Sequence, residues 1–159
     1  MKKIRLDNYY KNNFKDDREI FALGLPLTLI RKYMFSRHAD LLQVKYDLNS
    51  SEFDVLASLL YNGKIMSPTA LYEATIFSSG GMTKILKKLK DKELITRVSS
   101  KEDKRSMLVK IEPKGEMLVE ACIKDIIDID NDIFSVLDKN DKESLKLILK
   151  KLVYSLLED

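Results

Sequence analysis

The feature that most constrains this chain is a change of hydrophobic period between residues 82 and 111. Met82, Ile85, Leu86 and Leu89 recur at i, i+3, i+4 and i+7, the spacing of one face of an α-helix. Leu94-Ile95-Thr96-Arg97-Val98 and Met107-Leu108-Val109-Lys110-Ile111 then alternate with period two around the polar stretch Ser99 to Arg105. Two short alternating runs about a charged tip predict a β-hairpin directly behind a helix. The remaining periodic segments read as helices, so the expected class is mainly α with a small β-hairpin.

Upstream, residues 1–16 read as a polar arm. Asp16 and Glu19 have the spacing of a helix cap and open a long apolar-rich helix to about Lys45. Pro26 is expected to kink that helix or to mark its true beginning. Asn49 and Glu52 repeat the cap spacing ahead of Phe53, Leu56, Leu59 and Leu60, and Asn62-Gly63 is a stop signal. Ser67 caps a short helix with Pro68 at its first position, where the missing N–H needs no partner. Phe77-Ser78-Ser79-Gly80-Gly81 is a turn with a Ser cap. Behind the hairpin, Pro113 and Gly115 punctuate, and helices are expected over about Lys114–Leu137 and Lys142–Leu156. The units are therefore an arm (1–16), a long helix (17–46), a compact central domain (47–113) and a helical C-terminal region (114–159).

The net charge of +3 is unevenly spread. Residues 84–111 carry ten Lys and Arg against four Asp and Glu, whereas residues 112–159 carry seven against twelve. No run of 18 apolar residues exists to span a membrane, and the polar N-terminus lacks a signal-peptide core, so a cytoplasmic location is expected. Cys122 is the sole cysteine and allows no intrachain disulfide. Its apolar neighbours Leu118, Val119, Ala121 and Ile126 predict an inert buried thiol rather than a redox sensor. Asp125, Asp128 and Asp132 follow helical spacing and read, with Asp130, as a solvated face rather than a metal site. No phosphate-binding glycine motif is present, and one His and one Cys stand far apart, so neither an enzyme nor a cofactor is expected.

Two short helices joined by a tight turn, the second with a basic outer face, describe a helix-turn-helix, whose second helix fits the major groove of DNA. That outer face offers Ser79, Thr83, Lys84, Lys87 and Lys88. Ser67 and Thr69 at the head of the first helix, and Ser78 and Gly80 in the turn, join them as candidate contacts. The hairpin is then a wing whose tip residues Lys101, Lys104 and Arg105 reach phosphates or the minor groove, where negative potential favours an inserted Arg. The alternative is a winged-helix protein-interaction module that does not bind DNA.

The resemblance is specific at this point. Leu48 to Leu56 is similar to the second helix of the MarR family of winged helix-turn-helix transcription regulators. Ser78-Ser79-Gly80-Gly81-Met82-Thr83-Lys84, with Leu86, Leu89 and Leu94 to Arg97, resembles its recognition helix and first wing strand. Asp103-Lys104-Arg105-Ser106 resembles its wing signature and Glu112-Pro113-Lys114-Gly115 its post-wing turn; together these span roughly residues 48–118. The resemblance implies that Ser79, Thr83 and Lys84 face base edges or nearby phosphates. It also implies that Arg105 enters the minor groove while Asp103 pairs with Arg97 to brace the wing. Two positions depart from the family pattern. Glu93 stands where a helix-ending Gly is common, so this helix ends differently or Glu93 is strained. Lys84 stands where Arg is common, and Lys cannot make the planar bidentate contact with guanine. The resemblance further implies a homodimer on a palindromic operator, repression, and a small phenolic effector. Leu23, Leu27, Ile30, Leu145, Ile148, Leu149, Leu152 and Leu156 offer the apolar surface for the dimer. Tyr33, Arg37, His38, Tyr46, Tyr61 and Tyr72 are the effector candidates.

Overall fold

The computed structural model describes residues 20–75, 81–100 and 107–157, together with residue 7. Among these, helix α1 spans Phe21–Tyr46, α2 Ser50–Tyr61, α3 Pro68–Ala74, α4 Met82–Asp91, α5 Pro113–Ile133 and α6 Lys139–Ser155, with a 3₁₀ turn at Phe134–Val136. Strands β1 (Ile65–Met66), β2 (Ile95–Ser99) and β3 (Met107–Ile111) form an antiparallel sheet in the order β1-β3-β2. The expected hairpin is present, with Arg97 opposite Val109 and Ser99 opposite Met107. The third strand was not anticipated. Its two residues, paired with Val109 and Lys110, are too few to show an alternation. No helix among the described residues is long and apolar enough to cross a membrane.

Local chemistry explains most boundaries. The Asn49 side chain accepts from the Glu52 amide at 2.9 Å, and the Glu52 carboxylate accepts from the Asn49 amide at 3.1 Å, a complete capping box. Ser67 accepts from the Ala70 amide at 3.0 Å, and Asp138 from the Asp141 amide at 2.9 Å, which starts α6 three residues ahead of the expected Lys142. Pro26 lies inside α1, not at its beginning. The expected cap at Asp16 and Glu19, like most of the N-terminal arm, falls outside the described residues.

Helices α2 and α4 end in the same way with different residues. After α2, the Lys64 amide donates to the Leu59 carbonyl at 2.7 Å across Gly63, whose φ is +84°. After α4, the Leu94 amide donates to the Leu89 carbonyl at 3.0 Å and the Glu93 amide to the Lys90 carbonyl at 2.9 Å. Both are Schellman closures, which need a left-handed residue. Glu93 supplies it at φ +61°, so of the two expected outcomes the strained one is realised.

The core gathers Leu42 of α1, Val55, Leu56 and Leu59 of α2, Leu71 of α3, Leu86 and Leu89 of α4, Val109 and Ile111 of β3, and Val119 and Cys122 of α5. Gly115 lets α5 approach the sheet: a Cβ there would collide with the Leu94 carbonyl and press Ile111 at 3.0 Å. Helix α6 has no buried residue at all.

Candidate nucleic-acid interface

Helix α4 is anchored on one side and bare on the other. Leu86 and Leu89 are buried and Met82 and Ile85 partly so, while Thr83, Lys84, Lys87, Lys88 and Lys90 are exposed. Helical spacing turns Lys84 and Lys87 directly away from the core, with Thr83 and Lys90 on one flank and Lys88 on the other. The helix N-cap is Gly81, with φ +100° and no side-chain cap, in place of the expected Ser. Gly takes this conformation freely and Ser would be strained in it. Ser78, Ser79 and Gly80 lie outside the described residues.

The flank that carries Lys88 faces the first turn of α2. Between them is a cleft of about 410 Å³ lined by Ser50, Ser51, Glu52, Lys84 and Lys88. Glu52 is only 2% exposed. Lys88 Nζ is 3.3 Å from its Oε1 and Lys92 Nζ is 3.9 Å from its Oε2. Lys92 also lies 3.0 Å from Asp47 Oδ2 and donates to the Asp47 carbonyl, and this lysine holds the Asp47 carboxyl below the ordinary range. Lys84, Lys87 and Lys90 make no ion pair among the described residues. By its spacing from Asn49, Glu52 reads in the sequence only as a cap. Its second role joins residues some forty positions apart, and no local spacing could announce it.

On α3, Thr69 is exposed, whereas the Ser67 hydroxyl is occupied by its own helix cap. Arg97 is exposed on β2. Its expected partner Asp103, with Lys101, Lys104 and Arg105, lies outside the described residues.

The six effector candidates do not converge. Arg37 donates to the Tyr33 hydroxyl at 3.2 Å and lies 5.9 Å from the ring centre, both on the exposed side of α1. His38 sits 2.8 Å from Asp130 Oδ1 and lines an apolar cleft of about 430 Å³ with Leu27, Ile30, Met34, Phe134 and Leu149. The Tyr46 hydroxyl donates to Asp125 Oδ2 at 2.6 Å, and burial, then this carboxylate, push its pKa up. Tyr61 and Tyr72 are surface residues, 71% and 60% exposed. The acidic run of α5 is likewise not simply solvated: Asp125 holds Lys45 and Tyr46 of α1, and Asp130 holds His38. These pairs span 79 to 92 residues, beyond any sequence pattern. Cys122 is buried, and burial foremost pushes its thiol up to about 11, which keeps it protonated and unreactive at neutral pH.

Residues 46–106 match the model of the MarR family. The HTH-type transcriptional regulator MhqR of Bacillus subtilis (strain 168) is 30% identical over 131 residues, covering 82% of this chain and 90% of that protein. Among solved structures, a cysteine-to-serine variant of MarR from E. coli, complexed with operator DNA, superposes with a TM-score of 0.69. It is 24% identical and covers 87% of this chain and 99% of that one. The organohalide-sensing regulator RdhR-CbdbA1625 in its 2,4-dichlorophenol-bound form gives a TM-score of 0.71 at 17% identity, covering 89% and 83%.

Proposed function

The chain belongs to the MarR family of DNA-binding transcription regulators, and from that premise we propose that it is a homodimeric cytoplasmic repressor that reads a palindromic operator and leaves it on binding a small phenolic effector. It is a DNA-binding regulator, and membership sets aside the interaction-module alternative. The observation that carries the docking mode is the bare ridge of α4. Lys84 and Lys87 lack an internal anion among the described residues, while the opposite face is locked into the core. In this reading α4 lies in the major groove with Thr83, Lys84 and Lys87 toward DNA, and Thr69 at the head of α3 flanks it. Ser78, Ser79 and Gly80 of the turn, and Lys101, Lys104 and Arg105 of the wing with its Arg97–Asp103 brace, complete the contacts.

Two features support the remaining parts. Ile148 and Leu152 on α6 and Leu23 and Leu27 on α1 are exposed in the single chain, apolar surface that a second copy would cover. The apolar cleft beside His38 has the size and lining for a phenol, and RdhR-CbdbA1625 is known in complex with one. The test is duplex binding across a salt series, with DNA selected from the host genome. Affinity is expected to fall steeply with salt, and Lys84→Gln to reduce the log–log slope by about 0.9 per subunit. Binding that ignores both salt and Lys84 would refute the docking mode.

A further inference from the structure

The five lysines of residues 84–92 are not equivalent. Two are drawn inward onto acidic groups of neighbouring elements: Lys88 to Glu52, and Lys92 to Asp47 and Glu52. The remaining three make no ion pair among the described residues. Two lysines against two carboxylates is a locally neutral cluster at the edge of a helix otherwise presented as cationic.

Glu52 decides where Lys88 goes. Its carboxylate is almost wholly shielded from water, and one oxygen caps Asn49. The other, Oε1, has no hydrogen bond among the described residues and lies 3.3 Å from the Lys88 ammonium. A buried carboxylate has given up its hydration, and leaving it unpaired is far more costly than separating a solvated pair. A DNA phosphate, still wet and accompanied by counterions, is the weaker competitor for the same ammonium. The backbone at Asp47 is fixed by the end of α1, where the Leu48 amide donates to the Leu42 carbonyl at 3.1 Å, and its exposed carboxylate meets Lys92 at 3.0 Å.

We propose that Glu52 is a positioning residue that withholds Lys88 from the phosphate backbone. Sequence-independent affinity scales with the number of phosphates neutralised, whereas base contacts carry the information. Removing one cation from the phosphate count lowers the sequence-independent part of the affinity for any duplex and leaves the base-facing residues untouched, so base contacts carry a larger share of the binding. The proposal rests on the DNA-binding reading above.

The experiment is a salt titration of full-length protein on a random-sequence duplex, read by fluorescence anisotropy. Glu52→Gln keeps an acceptor for the Asn49 cap and removes the charge that holds Lys88. The variant is expected to bind random DNA about fivefold more tightly per subunit at 0.15 M salt, with a log–log slope steeper by about 0.9. Glu52→Gln/Lys88→Gln should return both to wild-type values. Glu52→Gln/Lys146→Gln, which restores the same net charge on α6, should keep the gain. An unchanged slope in Glu52→Gln, or a gain abolished equally by Lys146→Gln, overturns the proposal. If Glu52→Gln does not fold, Lys88→Gln alone decides: it should lose much less slope than Lys84→Gln, and an equal loss means that Lys88 already lies on phosphate. Wild-type protein with no salt-dependent binding would instead sink the DNA-docking mode itself, and a slope that responds to Lys84→Gln alone would sink only the role of Glu52.

Discussion

Glu93 closes α4 in a conformation that costs an L-residue on the order of 1 kcal/mol and costs Gly almost nothing. Its side chain is 83% exposed, and its only ion pair among the described residues is with Lys114 at 3.3 Å, a surface contact of little worth. Glu93→Gly is therefore expected to stabilise the protein by up to about 1 kcal/mol, seen as a higher denaturant midpoint at unchanged m-value. A lower midpoint would mean that the lost ion pair and added chain entropy outweigh the relieved backbone. The family resemblance made this position visible, because Glu93 stands where its members commonly end the helix with Gly. Gly115 was visible only as punctuation; its packing against the Leu94 carbonyl depends on where α5 lands.

At the scale of elements, α1 and α5 are tied by Asp125 with Lys45 and Tyr46, and by His38 with Asp130. Lys45 first, then Tyr46, hold the Asp125 carboxyl below the ordinary range, and Asp125 in turn raises Lys45. The Asp125 contribution is complete above its unfolded value of about 3.9 and is lost as pH falls through the lower folded value. The Lys45 and Tyr46 contributions are complete below unfolded values of about 10 and are lost as pH rises through the raised ones. The Asp125 half of the tie is thus constant across neutral pH and fails at both extremes. In thermal melts from pH 7 down to 2.5, the deficit of Asp125→Asn relative to wild type should shrink below about pH 4. A deficit independent of pH would show that the carboxylate acts by shape alone. Capping boxes and helix stops were legible because they are local, whereas these ties were not, because each joins two helices distant in the chain.

The whole molecule leaves apolar surface that one copy does not use. α6 buries none of its residues, and Ile148, Leu152, Val153 and Leu156 are all exposed beside a long α1 with Leu23, Leu27 and Ile30 in the same condition. Sedimentation is expected to find a dimer at micromolar concentration with a concentration-dependent melting temperature, and Leu152→Glu to shift it toward monomer and weaken that dependence. A wild-type monomer would mean that α6 folds back on its own chain in solution. What the amino-acid sequence by itself determined was the order of the helices and the hairpin, the capped starts of α2 and α3 and the basic character of α4. Each of these is written in neighbouring residues through period, cap or turn. Only the tertiary structure decided which cations of α4 remain available. Lys84 and Lys87 are left without a carboxylate among the described residues, while Lys88 and Lys92 are taken up by Glu52 and Asp47. The physical reason is that charge is a property of a residue, but its availability depends on which anion the fold brings within reach.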